Sequence, residues 1–112
     1  MVRLLLAAGT VVLAASSANA QKMSVKPPSK WDGESACRIE GLNPRGDNFL
    51  AVRTGPGSKY RMVGKLRPGD TVGLDRNPAG GGWEYSDEMS RNGKRLRLRG
   101  FFFGKYCRVY AG

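Results

Sequence analysis

The chain has 112 residues, 19 Lys+Arg against 9 Asp+Glu, no His, and a formal net charge of +10. Its length fits one domain, and the missing imidazole excludes Ser-His and Cys-His nucleophile pairs and the usual zinc sites. With two Cys, 16 Gly and 6 Pro, neither a Cys-rich metal centre nor long helices are expected, which leaves a small basic binding module without a cofactor.

Residues 1–20 read as a secretory signal peptide. Arg3 supplies the positive start, residues 4–15 are almost wholly apolar, and Ala18-Asn19-Ala20 fits the small-x-small cleavage rule. The apolar run is short for a bilayer span, so no transmembrane anchor is expected after cleavage. The mature chain would begin at Gln21 and keep every basic side chain but Arg3. Its expected location is periplasmic or secreted. Residues 21–35 read as a flexible basic linker, carrying Lys22, Lys26, Lys30, Pro27 and Pro28 with little to bury. Trp31 is the exception there, either docked on the domain or exposed as an anchor for a partner.

Residues 36–112 form the domain, a series of short β-type runs split by Gly and Pro. Strands are expected at 37–40, 49–53, 62–66 and 71–74. Residues 41–48 and 77–82 read as loops, residues 54–59 are rich in turn formers, and Pro68-Gly69-Asp70 reads as a tight turn. Cys37 and Cys107 enclose most of the domain, and in an oxidising compartment they are expected to form a disulfide. Loop closure credits that bond with about 4 kcal/mol.

Asn92-Gly93 between two β-like runs signals a hairpin with a two-residue type I′ turn. The register sets Arg91 against Lys94, Ser90 against Arg95, Met89 against Leu96, Glu88 against Arg97, Ser86 against Arg99 and Tyr85 against Gly100. Period two then places Met89, Leu96 and Leu98 on one face. Arg95, Arg97 and Arg99 share the other face with Glu84 and Glu88. Asp87 would land on the inner face beside Leu98, a flaw that a bulge would relieve. Many short strands around one small core point to an all-β barrel or sandwich.

Several stretches resemble bacterial SH3-like (SH3b) domains. Leu50, Val52-Arg53 and Gly55-Pro56 match the family's opening Leu-x-Val-Arg-x-Gly-Pro. Tyr60 and Val63 fall where its next core residues stand. Residues 65–70 resemble the following turn, Gly82-Trp83 the Gly-Trp that opens another strand, and residues 100–107 the closing Gly-Trp-Val-x-x-x-Tyr-Leu. Here Phe101 stands for Trp, Phe102 for Val and Cys107 for Leu. The resemblance covers 37–109 and implies a small SH3-like β-barrel of five to six short strands. It also implies a secreted or periplasmic module associated with the cell wall. The long Arg-rich hairpin departs from the family, and fold analogy does not carry a ligand with it.

The row Arg95, Arg97, Arg99 is the most distinctive candidate site. On a strand these side chains lie roughly 7 Å apart on one side. Guanidiniums offer paired donors to carboxylates or phosphates. Lys94, Arg91 and Lys105 would extend the patch. The alternative is a solvated face that protects an edge strand. Tyr60, Arg61, Trp83, Phe101 and Phe103 complete the candidate ligand-binding set. If Phe102 fills the core, Phe101 and Phe103 face outward. Arg53 is expected to hold the 54–59 loop, with Ser58, Lys59 and Arg61 along it.

Glu84, Asp87 and Glu88 are the carboxylates to weigh for catalysis. Flanking arginines favour ionised carboxylates, whereas a general acid must hold its proton, so no catalytic residue is expected. The expected partner is peptidoglycan or another anionic cell-envelope polymer, with a host or envelope protein as the alternative. A signal peptide argues against nucleic acid as a physiological partner, although the positive charge would attract it in vitro.

Overall fold

The computed structural model describes residues 22–27, 35–74 and 79–111. Within them lie nine strands: β1 (Ala36–Ile39), β2 (Leu50–Arg53), β3 (Met62–Leu66), β4 (Thr71–Gly73), β5 (Trp83–Ser86), β6 (Met89–Arg91), β7 (Lys94–Arg95), β8 (Gly100–Phe103) and β9 (Cys107–Ala111). They form two antiparallel sheets, β7-β6-β4-β1-β9 and β3-β2-β8-β5. A 3-10 turn, Gly104–Tyr106, joins β8 to β9. The all-β expectation holds, but with nine short strands in two sheets where five to six were expected. Residues 1–20 and Trp31 lie outside the described residues. Among the described residues no helix is long and apolar enough to cross a membrane.

Period two builds the core. In β2, Leu50 and Val52 are buried while Ala51 and Arg53 face the other side. They meet Cys37 and Ile39 of β1, Leu66, Val72, Leu74, Met89 and Phe102, with Leu96 and Leu98 packed against this cluster. The disulfide Cys37–Cys107 forms as expected and ties β1 to β9 across a Cα–Cα distance of 5.3 Å.

The hairpin is right at its tip and one residue off at its base. Asn92 and Gly93 both have positive φ, and Ser90 pairs with Arg95 and Arg91 with Lys94. Further on, Tyr85 pairs with Phe101 and Ser86 with Gly100, not with Gly100 and Arg99. One extra residue is accommodated in 96–99, and the chain changes sheet there. This corner is why the strand count exceeds the expectation: one long hairpin becomes β5–β8 in one sheet and β6–β7 in the other. Gly100 allows the turn into β8. Its φ is +151°, and a Cβ there would stand 2.6 Å from the Arg53 carbonyl oxygen and 2.7 Å from Val52.

An ion pair between half-buried Arg91 and buried Asp70 holds the β6–β7 hairpin to the rest. Asp70, 2 % exposed, closes the turn between β3 and β4 by accepting from the Arg67 N–H at 2.7 Å. Its carboxylate also accepts from Arg91 Nε at 2.9 Å and Nη2 at 2.8 Å. The hydrogen bond to Asp70 raises the Arg91 pKa above its ordinary value against the opposing effect of burial. Arg91 is therefore structural here.

The described part of the expected linker is docked. Ser24 N–H and Val25 N–H donate to the Thr54 carbonyl at 2.8 and 3.3 Å, and the Ser24 and Thr54 hydroxyls lie 2.7 Å apart. Met23, Val25 and Pro27 are half-buried while Lys22, Ser24 and Lys26 are exposed. That alternation lays an apolar edge on the domain, which composition alone did not suggest.

Two stability outcomes follow. Asp70→Ala leaves the Arg91 guanidinium without its carboxylate and should cost about 3 kcal/mol in a urea titration. A loss below about 1 kcal/mol would put the pair on a par with a surface bridge. Replacing both cysteines by serine should lower stability by about 2–4 kcal/mol, measured the same way.

Candidate functional site

The 94–99 segment leaves the hairpin tip with alternate side chains turned opposite ways. Leu96 and Leu98 pack on the core, and a Cβ on Gly64 of β3 would overlap Leu98. That anchoring turns Arg95, Arg97 and Arg99 outward, where all three are exposed. Arg95 lies in β7, while Arg97 and Arg99 belong to the corner that changes sheet. The expected straight row on one strand is thus a curved one. With Asp87 and the edges of Leu96 and Leu98 it lines an open hollow of about 560 Å³.

The charges of the hollow are unequal in availability. Arg95 Nη2 lies 3.1 Å from Glu88 Oε1 and donates to the Asp87 carbonyl at 3.4 Å. Glu88 thus pairs with Arg95, where the straight register set it opposite Arg97. Both partners of that bridge are partly exposed, so its contribution to stability is small. Asp87 lies at the rim of the hollow, and the corner removes the expected clash with the inner face.

Of the residues expected to extend the patch, Lys94 is exposed beside the turn. Arg91 is committed to Asp70. Lys105 stands elsewhere, 5.5 Å from the Tyr106 ring centre, in a second hollow with Glu40, Gly41 and Arg108.

The aromatic candidates separate into three groups. Trp83 and Phe103 pair edge to face at 5.6 Å on the outer side of the β3-β2-β8-β5 sheet. Phe103 is 37 % exposed. Phe101 follows the same outward parity and meets Tyr85 at 5.0 Å, but it is only 1 % exposed. Phe101 therefore offers no surface to a ligand, which corrects the expectation that it would lie partly outside. Tyr60 is half-buried, and its ring lies where a Cβ on Gly55 would come within 2.6 Å. Arg53 Nη1 donates to the Tyr60 carbonyl at 2.9 Å, holding the 54–59 loop as expected. Arg61 is exposed, and its carbonyl accepts from Thr54 N–H at 2.9 Å.

Sequence reasoning missed Asp70 and the placement of Asp87 in the hollow. Asp70 reads as an ordinary turn residue in Pro68-Gly69-Asp70, and no local pattern links it to Arg91. Asp87 gave a signal, because the straight hairpin left it on an apolar face. No known protein family, curated protein or solved structure matches the chain.

Glu88→Gln should liberate Arg95 and strengthen retention on a polyanion column, so that elution needs more salt. Thermal unfolding should barely move, because the bridge is exposed. Unchanged or earlier elution would remove Arg95 from the binding surface.

Proposed function

We propose that this chain is an exported, non-catalytic binding module of the SH3-like type that recognises peptidoglycan or another anionic cell-envelope polymer. The hollow lined by Arg95, Arg97 and Arg99 is the observation that carries the reading. Three arginines line it with one acidic residue, Asp87. Exposed forks of this kind suit the carboxylates of wall peptides or the phosphates of envelope polymers. Their positive field also raises the local concentration of an extended polyanion before contact.

Three further features support the reading. The two antiparallel sheets around one core, with a hairpin that changes sheet, are compatible with an SH3-like barrel. The disulfide suits an oxidising compartment outside the cytosol. Trp83 and Phe103 add a partly exposed aromatic pair able to contact a sugar ring or a peptide.

Sedimentation with purified wall sacculi tests the proposal. Arg97→Glu combined with Arg99→Glu should weaken retention about tenfold, equivalent to about 1.4 kcal/mol. Soluble stem peptides should compete for the wild-type protein. Sacculi that retain both proteins equally would overturn the role of the hollow. Absence of wall binding, with one protein partner recovered by crosslinking, would favour the protein-recognition alternative.

A further inference from the structure

The described residues leave one outer strand, β9, with a run of backbone groups unengaged. Sheet order ends at β9, whose inner side pairs with β1. Glu40 N–H donates to the Tyr106 carbonyl at 2.9 Å, and Arg38 pairs with Arg108. Antiparallel ladders alternate, so residues 106 and 108 direct their backbone groups to β1. The Val109 N–H and carbonyl and the Cys107 carbonyl point away from it, to the free side, while the Cys107 N–H closes the 3-10 turn on the Gly104 carbonyl.

The other sheet edges are shorter or covered, whereas β9 carries only a register shift beyond Val109. β7 is two residues long and consists of Lys94 and Arg95. On β3, Arg91 Nη2 donates to the Lys65 carbonyl at 3.3 Å. The segment before β5 folds back on it, with Ala79 N–H on the Trp83 carbonyl at 3.0 Å. β9 instead presents Val109 at 58 % and Tyr110 at 53 % exposure.

Charge indicates what this edge accepts. Arg38 and Arg108 flank Glu40 at 3.7 and 3.5 Å, with side chains 50 % and 75 % exposed. Lys105 lines one hollow with Glu40 and Arg108. Three cations thus face one carboxylate on the side where Arg108 projects. A second copy fits poorly. The formal charge of +10 opposes association, and antiparallel pairing centred on Val109 would make the two Arg108 side chains diagonal neighbours.

We propose that β9 is a docking edge that takes an extended acidic peptide segment of a partner protein as an added strand. The Cys107 carbonyl and the Val109 N–H and carbonyl supply the ladder. Period two supplies the specificity: acidic residues on the Arg108 side, apolar residues on the Val109 side. This surface is separate from the arginine-lined hollow and does not depend on its role.

The test titrates the oxidised protein with the peptide acetyl-Glu-Val-Glu-Val-Glu-Val-amide, followed by amide NMR shifts and calorimetry. Binding should move the Val109 amide, and the same peptide with Lys for Glu should bind at least tenfold more weakly. Val109→Pro deletes an outward N–H that β1 does not use, so affinity should fall at least tenfold with unfolding temperature unchanged. If Val109→Pro destabilises the protein, Arg108→Glu decides in its place by the same loss of affinity. Equal binding by the decisive variant, or by the Lys peptide, overturns the proposal. A concentration-dependent dimer in sedimentation that Val109→Pro abolishes also overturns it, assigning the edge to a second copy.

Discussion

The buried fork between Arg91 and Asp70 is the constraint on which the arrangement of the arginines depends. The β6–β7 hairpin is short, and a free two-strand hairpin of that length is marginal in water. Asp70 gives it a fixed anchor by receiving both Nε and Nη2 of Arg91. The same carboxylate closes the turn before β4, so hairpin and turn are positioned by one group. With its carboxylate buried, such a pair adds little over an apolar contact when intact but is costly to break, and its geometric demand is strict. That demand orients the hairpin that leads into residues 95–99.

From that anchor the chain must cross between the sheets, and the crossing shapes the proposed site. A straight ladder would carry Arg97 and Arg99 along one flat edge. The extra residue in 96–99 bends the strand instead, while Leu96 and Leu98 hold its inner side to the core. The three arginines then line one hollow. Gly100 completes the corner because only a residue without Cβ passes so close to the Arg53 backbone. Packing at Gly64 and Gly100 thus determines how the basic side chains converge.

Much of the local structure was legible along the chain. Strand β3 begins and ends where the residue pattern put it, and β1, β2 and β4 differ by a residue at their ends. The Asn92-Gly93 turn, the Arg53 contact to the 54–59 loop and the Cys37–Cys107 bond were equally readable. Each is set by turn chemistry, by period-two alternation or by the presence of just two thiols. Asp87 even marked the corner, by being misplaced in a straight hairpin. Less legible were the Glu88–Arg95 bridge, the docking of residues 22–27 on Thr54 and the burial of Phe101.

By itself, then, the amino-acid order determined an all-β domain, its turns, its covalent link and the outward parity of Arg95, Arg97 and Arg99. These follow from nearest neighbours and the two-residue period of an extended backbone. Tertiary structure decided that Arg91 leaves the basic patch, that the hairpin shifts by one residue, and that an outward-facing Phe101 is nevertheless enclosed. Those outcomes depend on which distant segments compete for the same space and the same carboxylate. Asp70 and Arg91 are 21 residues apart, and only the packing of β6 beside β4 brings them together.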